Sequence, residues 1–436
     1  MVDTSKDYGL AAAVAADAAA DSADAANTVP FFGAQFCMPR APDGSPLVYL
    51  CAHSLGLAPR LTASFVTQEL IDWQTLGVQG HHRARRPWIE YADQARAGLA
   101  ALTNAELADV VAMNSLSVNL HLLLASFYRP IGVRRRVLIE AGAFSSDRHA
   151  IAGHIAWHGL DPNSELVELA PRAHEELLRD EDIEAAITDA GERLALVLWP
   201  GVQYRTGQAF DCAGVARAAH GVGALVGFDH AHAIGNLALD LPASDADFAV
   251  WCSYKYLNAG PGAIGGAYIA PRHCSATALR LAGWWGHDPA TRFRMESQFQ
   301  PTAGAAGWAV SNPPIFSCAP LLASLELFLQ ARISALRRRS ILLTDWLQGA
   351  IETLCGTEIQ LITPRAAAAR GAMLSLRIAG GATRARRVFE RLTQLGVIGD
   401  LRDPDILRLA PAPLYNSFCD ARVAAERLAQ ALRVTG

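Results

Sequence analysis

From about residue 108 onward, short apolar runs alternate with longer amphipathic stretches. The apolar runs fall at 110–113, 136–140, 166–169, 194–198, 224–228, 248–252 and 266–269. Each is too short for a stable helix and too uniformly apolar for a strand with one wet face, which suits strands buried on both sides. Between them, residues 118–127, 146–157, 181–190 and 212–220 read as helices. This rhythm predicts an α/β fold: a mainly parallel sheet of about seven strands, sandwiched by helices. Ligands of such sheets bind beyond the carboxyl ends of the strands. Residues 59–103 read as helical and as a bridge into this large domain. After Pro313-Pro314 the character changes, with a long helix expected over 321–347, strands at 373–378 and 406–409, and a helix in the last twenty residues. The expected division is a disordered leader (1–30), a segment joining the small domain (31–60), a large domain (61–315) and a smaller α+β C-terminal domain (316–436).

Composition narrows the function classes. Of 436 residues, 51% are hydrophobic, enough for a sizeable core, and the formal net charge is only −4. That charge, with no concentrated basic face, argues against a nucleic-acid partner. The arginine triplets at 134–136 and 337–339 read as solvated faces or helix ends. Eight scattered cysteines form no CxxC and no His/Cys cluster of zinc spacing, so no metal is expected and the thiols read as reduced, in a cytoplasmic protein. The Ala/Asp-rich leader lacks a basic n-region and does not read as a signal peptide. No apolar window suggests a membrane span.

Lysine usage points to chemistry. Only Lys6 and Lys255 are lysines; the other basic residues among the 38 are arginines. A surface lysine exchanges for arginine at little cost, but a role needing a primary amine that can lose its proton does not tolerate the exchange. Lys6 lies in the leader, whereas Lys255 sits between an apolar run and a glycine-rich loop. Asp229 closes the run at 224–228 and precedes Lys255 by 26 residues. That pairing suits pyridoxal 5'-phosphate: the amine holds the aldehyde, and the carboxylate keeps the ring nitrogen protonated as an electron sink. An aspartate at a strand end can also be a plain helix cap.

The surrounding residues carry a resemblance. Tyr254-Lys255-Tyr256-Leu257-Asn258-Ala259-Gly260-Pro261-Gly262 and Phe228-Asp229-His230-Ala231-His232-Ala233-Ile234-Gly235-Asn236 resemble the segments around the cofactor lysine and aspartate of the kynureninase family. Asn119-Leu120-His121-Leu122-Leu123, Gly283-Trp284-Trp285-Gly286-His287, Ser311-Asn312-Pro313-Pro314-Ile315 and Pro411-Ala412-Pro413-Leu414-Tyr415-Asn416-Ser417-Phe418 are further matches. The resemblance spans about residues 47–425 and implies a homodimeric fold-type I enzyme that binds pyridoxal phosphate and a small amino-acid substrate.

Carried over position by position, it implies that Leu116 and Ser117 serve the cofactor phosphate and that Phe144 stacks on the ring beside Ser145, Ser146 and Asp147. Asp229 would pair with the ring nitrogen, His232 would lie alongside, and Tyr254 would bind phosphate and shuttle protons. Trp284 and Asn312 would complete the site, with a partner subunit as one source, and Arg408 would clamp the substrate carboxylate. His81, Ser311 and Asn312 resemble the animal-type members, which favour a 3-hydroxylated substrate. Plain alternatives stay open: core packing for Phe144, Tyr254 and Trp284, a structural or loop role for His232 and His81, a cap for Ser117 and a surface ion pair for Arg408. Three departures stand out: Ala52-His53-Ser54-Leu55-Gly56, Pro200 after the central strand, and Pro261. The activity implied is hydrolytic cleavage of kynurenine or 3-hydroxykynurenine to the anthranilate and alanine. A secondary-metabolism relative acting on a ring-substituted kynurenine, and a catalytically silent binding protein, are the competing readings.

Overall fold

The computed structural model describes residues 31–435, together with Ser22. Apart from Ser22, the expected disordered leader, with Lys6, lies outside the described residues. The described chain divides into two compact units.

The larger unit comprises Pro59–Tyr204 and Gln208–Gln330. Its sheet contains β1 (Val110–Ala112), β2 (Arg136–Glu140), β3 (Leu166–Leu169), β4 (Leu194–Pro200), β5 (Leu225–Asp229), β6 (Phe248–Trp251) and β7 (Gly266–Ile269). The order is β1-β7-β6-β5-β4-β2-β3, and β7 alone runs against its neighbours. Helices α1 (Leu61–Leu76), α2 (Leu116–Phe127), α3 (Ser145–Trp157), α4 (Asp180–Ala190), α5 (Cys212–Gly221) and α6 (Ile315–Ala331) accompany it. Strand β4 shows why its run is apolar on both faces. Leu196 and Leu198 join the core built from α2 and α3, whereas Trp199 points the other way onto Phe210, with ring centroids 5.7 Å apart. Burying such side chains contributes about 1.5–3 kcal/mol each.

The smaller unit joins residues up to Ala58, Arg205–Gly207 and the chain from Ala331 on. It holds α7 (Ile333–Cys355), an antiparallel sheet of β8 (Ile359–Leu361), β9 (Leu374–Ile378), β10 (Asp400–Arg402) and β11 (Ile406–Leu409), and helices α8 (Gly381–Gln394) and α9 (Phe418–Val434). Val48–Tyr49 pairs in parallel with Val397–Ile398, tying the N-terminal segment to this unit. Leu343, Leu347, Leu376 and Leu428 are in its core.

Two expectations need correction. The long helix over 321–347 is two helices, broken where Arg332 takes φ 62°, a left-handed conformation that a continuing α-helix cannot contain. The helical stretch over 59–103 is interrupted. Helix α1 ends at Gly77, φ 54°, and short turns follow before Arg96–Thr103.

Candidate active site

The carboxyl ends of β2, β4, β5 and β6 open onto one pocket of the larger unit. Lys255 lines it, in a compact turn after β6. Asn258 N–H donates to the Lys255 carbonyl (3.0 Å), Ala259 N–H donates to Ser253 (3.0 Å), and Asn258 adopts φ 56°. The Lys255 amine is 3.1 Å from His232 Nε2, a separation at which one nitrogen donates to the other. It lies 5.6 Å from the centre of the Phe144 ring and 5.8 Å from that of Tyr254. Phe144, half-exposed, meets Tyr204 edge-on at 5.4 Å.

Asp229 ends β5 with its carboxylate accepting from Ala231 N–H at 2.6 Å. Asp147, on the first turn of α3, is hydrogen-bonded to it. Burial pushes the Asp229 carboxyl above the ordinary aspartate range, against the pull of Lys255 and of its hydrogen bonds. Burial, and then the adjacent Asp229 charge, pushes Asp147 well above it. Two desolvated carboxyls in contact cannot both ionise cheaply, so Asp147 keeps the proton and donates to Asp229. Burial, followed by Cys252, also raises the Tyr254 phenol, which stays protonated at neutral pH.

At the pocket's other end, two helix N-termini converge. Leu116 and Ser117 open α2; Ser146 lies in the first turn of α3; the two serine hydroxyls are 2.5 Å apart. First-turn N–H groups and hydroxyls make a ready anion site. The turn into α2 is clamped by Asn119, which donates to the Met113 carbonyl (2.8 Å) and accepts from Asn114 (2.9 Å). Gly265 packs beneath it: a Cβ there would lie 3.1 Å from the Leu116 nitrogen and 2.9 Å from the Trp251 carbonyl, so only glycine lets the helix start come this close. Ser145 is exposed at the start of α3.

Leu116, Ser117, Phe144, Ser146, Asp147, Asp229, His232, Tyr254 and Lys255 therefore share one pocket, which Pro200 also lines. Ser311 and Asn312 do not join it. They line a second cleft with Trp285, Arg292 and Phe293, because they follow the loops after β7. Trp284 stands beside that cleft, its indole donating to the Arg292 carbonyl (3.2 Å) and its ring edge-on to Phe293. His81 packs edge-on against Trp88 at 5.5 Å. Arg408 belongs to the smaller unit, where its buried guanidinium donates to Asp400 at 2.9 and 2.7 Å. His53 is buried in that unit.

One acid of the pocket escaped the sequence reading. Glu140 ends β2, lines the pocket and accepts from Gln203 Nε2 at 3.2 Å. The signal was present, since an acid closes the apolar run of β2 just as Asp229 closes that of β5.

The chain matches a family model described as the kynureninase C-terminal domain over residues 336–428. It is 53% identical over 377 residues to the kynureninase of Xanthomonas campestris pv. campestris (strain B100), covering 86% of this chain and 89% of that protein. It is 51% identical over 386 residues to the kynureninase of Myxococcus xanthus (strain DK1622), covering 88% and 90%. This chain belongs to the kynureninase family. The fold agrees with that membership. A lysine-to-alanine mutant of C-DES with glycine covalently linked to its PLP cofactor superposes with a TM-score of 0.75 at 17% identity, covering 91% of this chain and 98% of that one. The cysteine desulfurase CsdA of Escherichia coli gives 0.74 at 19% identity, covering 92% and 98%. This kynureninase-family chain thus has the fold-type I architecture.

Proposed function

We propose that this protein hydrolyses kynurenine or 3-hydroxykynurenine, with water, to anthranilate or 3-hydroxyanthranilate and alanine, using pyridoxal phosphate. One observation carries the reading. The only lysine among the described residues is held by His232 in the pocket that also contains the Asp229–Asp147 pair and the serine-lined helix N-termini.

The residues fit the cofactor. The desolvated Asp229 carboxylate suits a protonated ring nitrogen, and the Gly265-backed start of α2 suits a phosphate. Leu116, Ser117 and Ser146 would hold the phosphate, Phe144 the ring face, and Asp229 with Asp147 the ring nitrogen. Pyridoxal phosphate, when bound, supplies an aldehyde for the substrate amine and a ring that accepts electrons from Cα. Lys255 Nζ, aimed by His232, takes and returns the proton at Cα. Tyr254, which keeps its phenolic proton, donates to the γ-carbonyl oxygen as water adds at that carbon. Arg408 binds the substrate carboxylate, a geometry that favours a guanidinium.

The finer assignments are a homodimer in the cytoplasm and a site completed by Trp284, Ser311 and Asn312. The gathering of Ser311 and Asn312 at a second cleft supports completion by a second copy. Neither the secondary-metabolism relative nor the silent binding protein gains support over this reading.

The test is turnover of both substrates by the purified chain, with the visible band of a protein-bound cofactor and a borohydride-fixed label at Lys255. A ring-hydroxyl preference of roughly tenfold to a hundredfold in kcat/KM, reduced in His81→Ala, is expected of a site that hydrogen-bonds that hydroxyl. No turnover of either substrate, or a label absent from Lys255, overturns the proposal.

A further inference from the structure

Glu140 is a third carboxyl of the pocket, and none of the chemistry above uses it. It ends β2, next to β4 in the sheet, and only 2% of its surface is exposed. Its one oxygen accepts from the Gln203 amide at 3.2 Å, and Gln203 N–H in turn donates to the Gln208 carbonyl at 2.8 Å, which fixes the loop carrying the amide. The titratable groups that share the pocket with it are Asp147, Asp229, His232, Tyr204, Tyr254 and Lys255. Lys255 is the only lysine or arginine among these, and its attraction for Asp229 and Asp147 opposes the effect of burial on both. An ionised Glu140 would add a second negative charge to a desolvated cluster with one cation to share.

We propose that Glu140 is a positioning residue of this site: a neutral carboxyl that anchors the Gln203 loop and leaves the cluster's single negative charge on the Asp229–Asp147 pair. The inference rests on the reading that this pocket holds the cofactor. Burial pushes the Glu140 carboxyl up to about 8; the Gln203 hydrogen bond opposes this and the Asp229 charge adds to it. A neutral carboxyl accepts from Gln203 through one oxygen and still presents an O–H. The ring nitrogen then faces one carboxylate rather than two, and the charge stays where it is useful.

The linkage has a definite sign. A carboxyl raised from 4.5 to about 8 stabilises the folded chain fully below pH 4.5, and that contribution is lost as pH rises through about 8. Glu140→Gln keeps the shape and the neutral charge, so it should fold and should not lose that contribution. The full-length chain, as purified and again after cofactor removal, is followed by thermal unfolding from pH 6 to 9. The pyridoxal phosphate Kd is measured at pH 6.5 and 9. The native chain should lose a few degrees more than Glu140→Gln over this range. Its Kd should weaken several-fold more than that of the variant, as Glu140 ionises. In an Asp229→Asn background the extra loss should end at a lower pH, because the Asp229 charge that adds to burial in raising Glu140 is gone. Parallel pH profiles in native chain and Glu140→Gln, with or without cofactor, overturn the inference. A chain that binds no pyridoxal phosphate but still shows the Glu140-dependent loss defeats the functional reading and leaves the charge assignment standing.

Discussion

Asp229 and Asp247 are both buried aspartates of the central sheet, at opposite ends of adjoining strands. Asp229 closes β5 at its carboxyl end, and Asp247 immediately precedes β6 at the amino end. Their exposures are similar, 8% and 1%. Their chemistry is opposite. Asp247 accepts from His273 (2.6 Å), Val226 N–H (2.7 Å), Arg272 (2.8 Å) and His220 (3.0 Å). Burial pushes its carboxyl up, but these donors outweigh burial and hold it down at about 2. Asp229 has one backbone donor and shares a proton with a second acid, and burial wins. Burial therefore does not decide what a buried charge is for. A carboxylate whose donors are all supplied by its own chain is structural. One left short of cationic partners, at the strand ends where ligands bind, is suited to a cation that arrives from outside.

The largest break expected at the functional end is Lys255→Arg. A guanidinium stays protonated and cannot act as the amine, so turnover should fall below detection, and Lys255→Ala should match it. Retained turnover in either variant would remove Lys255 from the chemistry. Asp229→Asn comes next. The amide cannot keep a ring nitrogen protonated, so kcat/KM should fall by about 10²-fold or more while the circular dichroism spectrum stays native. Near-native turnover would reduce Asp229 to a turn-forming residue like any other at a strand end.

Much of this contrast was readable from the sequence, and the reasons for the remainder are physical. Doubly buried strands have a strong signal: 136–140, 166–169 and 266–269 coincide with β2, β3 and β7. Helix interruptions do not, because the apolar pattern runs on through Arg332 while the backbone there turns left-handed. Lys255 and Asp229 stood out through residue type and position at a strand end. Asp147 was placed near the cofactor, but its proton-sharing with Asp229 requires knowing that α3 starts over the end of β5. Glu140 and Gln203 are 63 residues apart, and only the sheet order brings them together. The Asp247 cluster was missed for the same reason: its histidines and arginine come from α5 and from the turn after β7. Arg408 was singled out as a carboxylate clamp, yet its pairing with Asp400 depends on the β10–β11 register.

The smallest and sharpest effect concerns stability, where the two aspartates should respond with opposite signs. Asp247 is lowered from 3.8 to about 2, so it stabilises the folded chain above pH 3.8, and this is lost as pH falls through about 2. A shift of that size corresponds to about 2 kcal/mol. Asp247→Asn should therefore lower the thermal midpoint at pH 7 by a few degrees, with kcat per folded molecule unchanged. The gap from the native chain should close toward pH 2 as the native Asp247 takes up its proton. Asp229 is raised, so its ionised form disfavours folding above the ordinary aspartate range. In the cofactor-free chain, Asp229→Asn should raise the midpoint at pH 7, and this gain should vanish at pH values low enough to protonate the native carboxyl. Loading with pyridoxal phosphate should then stabilise the native chain more than Asp229→Asn, because only the native carboxylate gains a cationic partner. Differential scanning calorimetry of the three proteins, with and without cofactor, reads all of these shifts. If both substitutions move the cofactor-free midpoint in the same direction, the two carboxylates are held alike and the contrast between the two ends of the sheet fails.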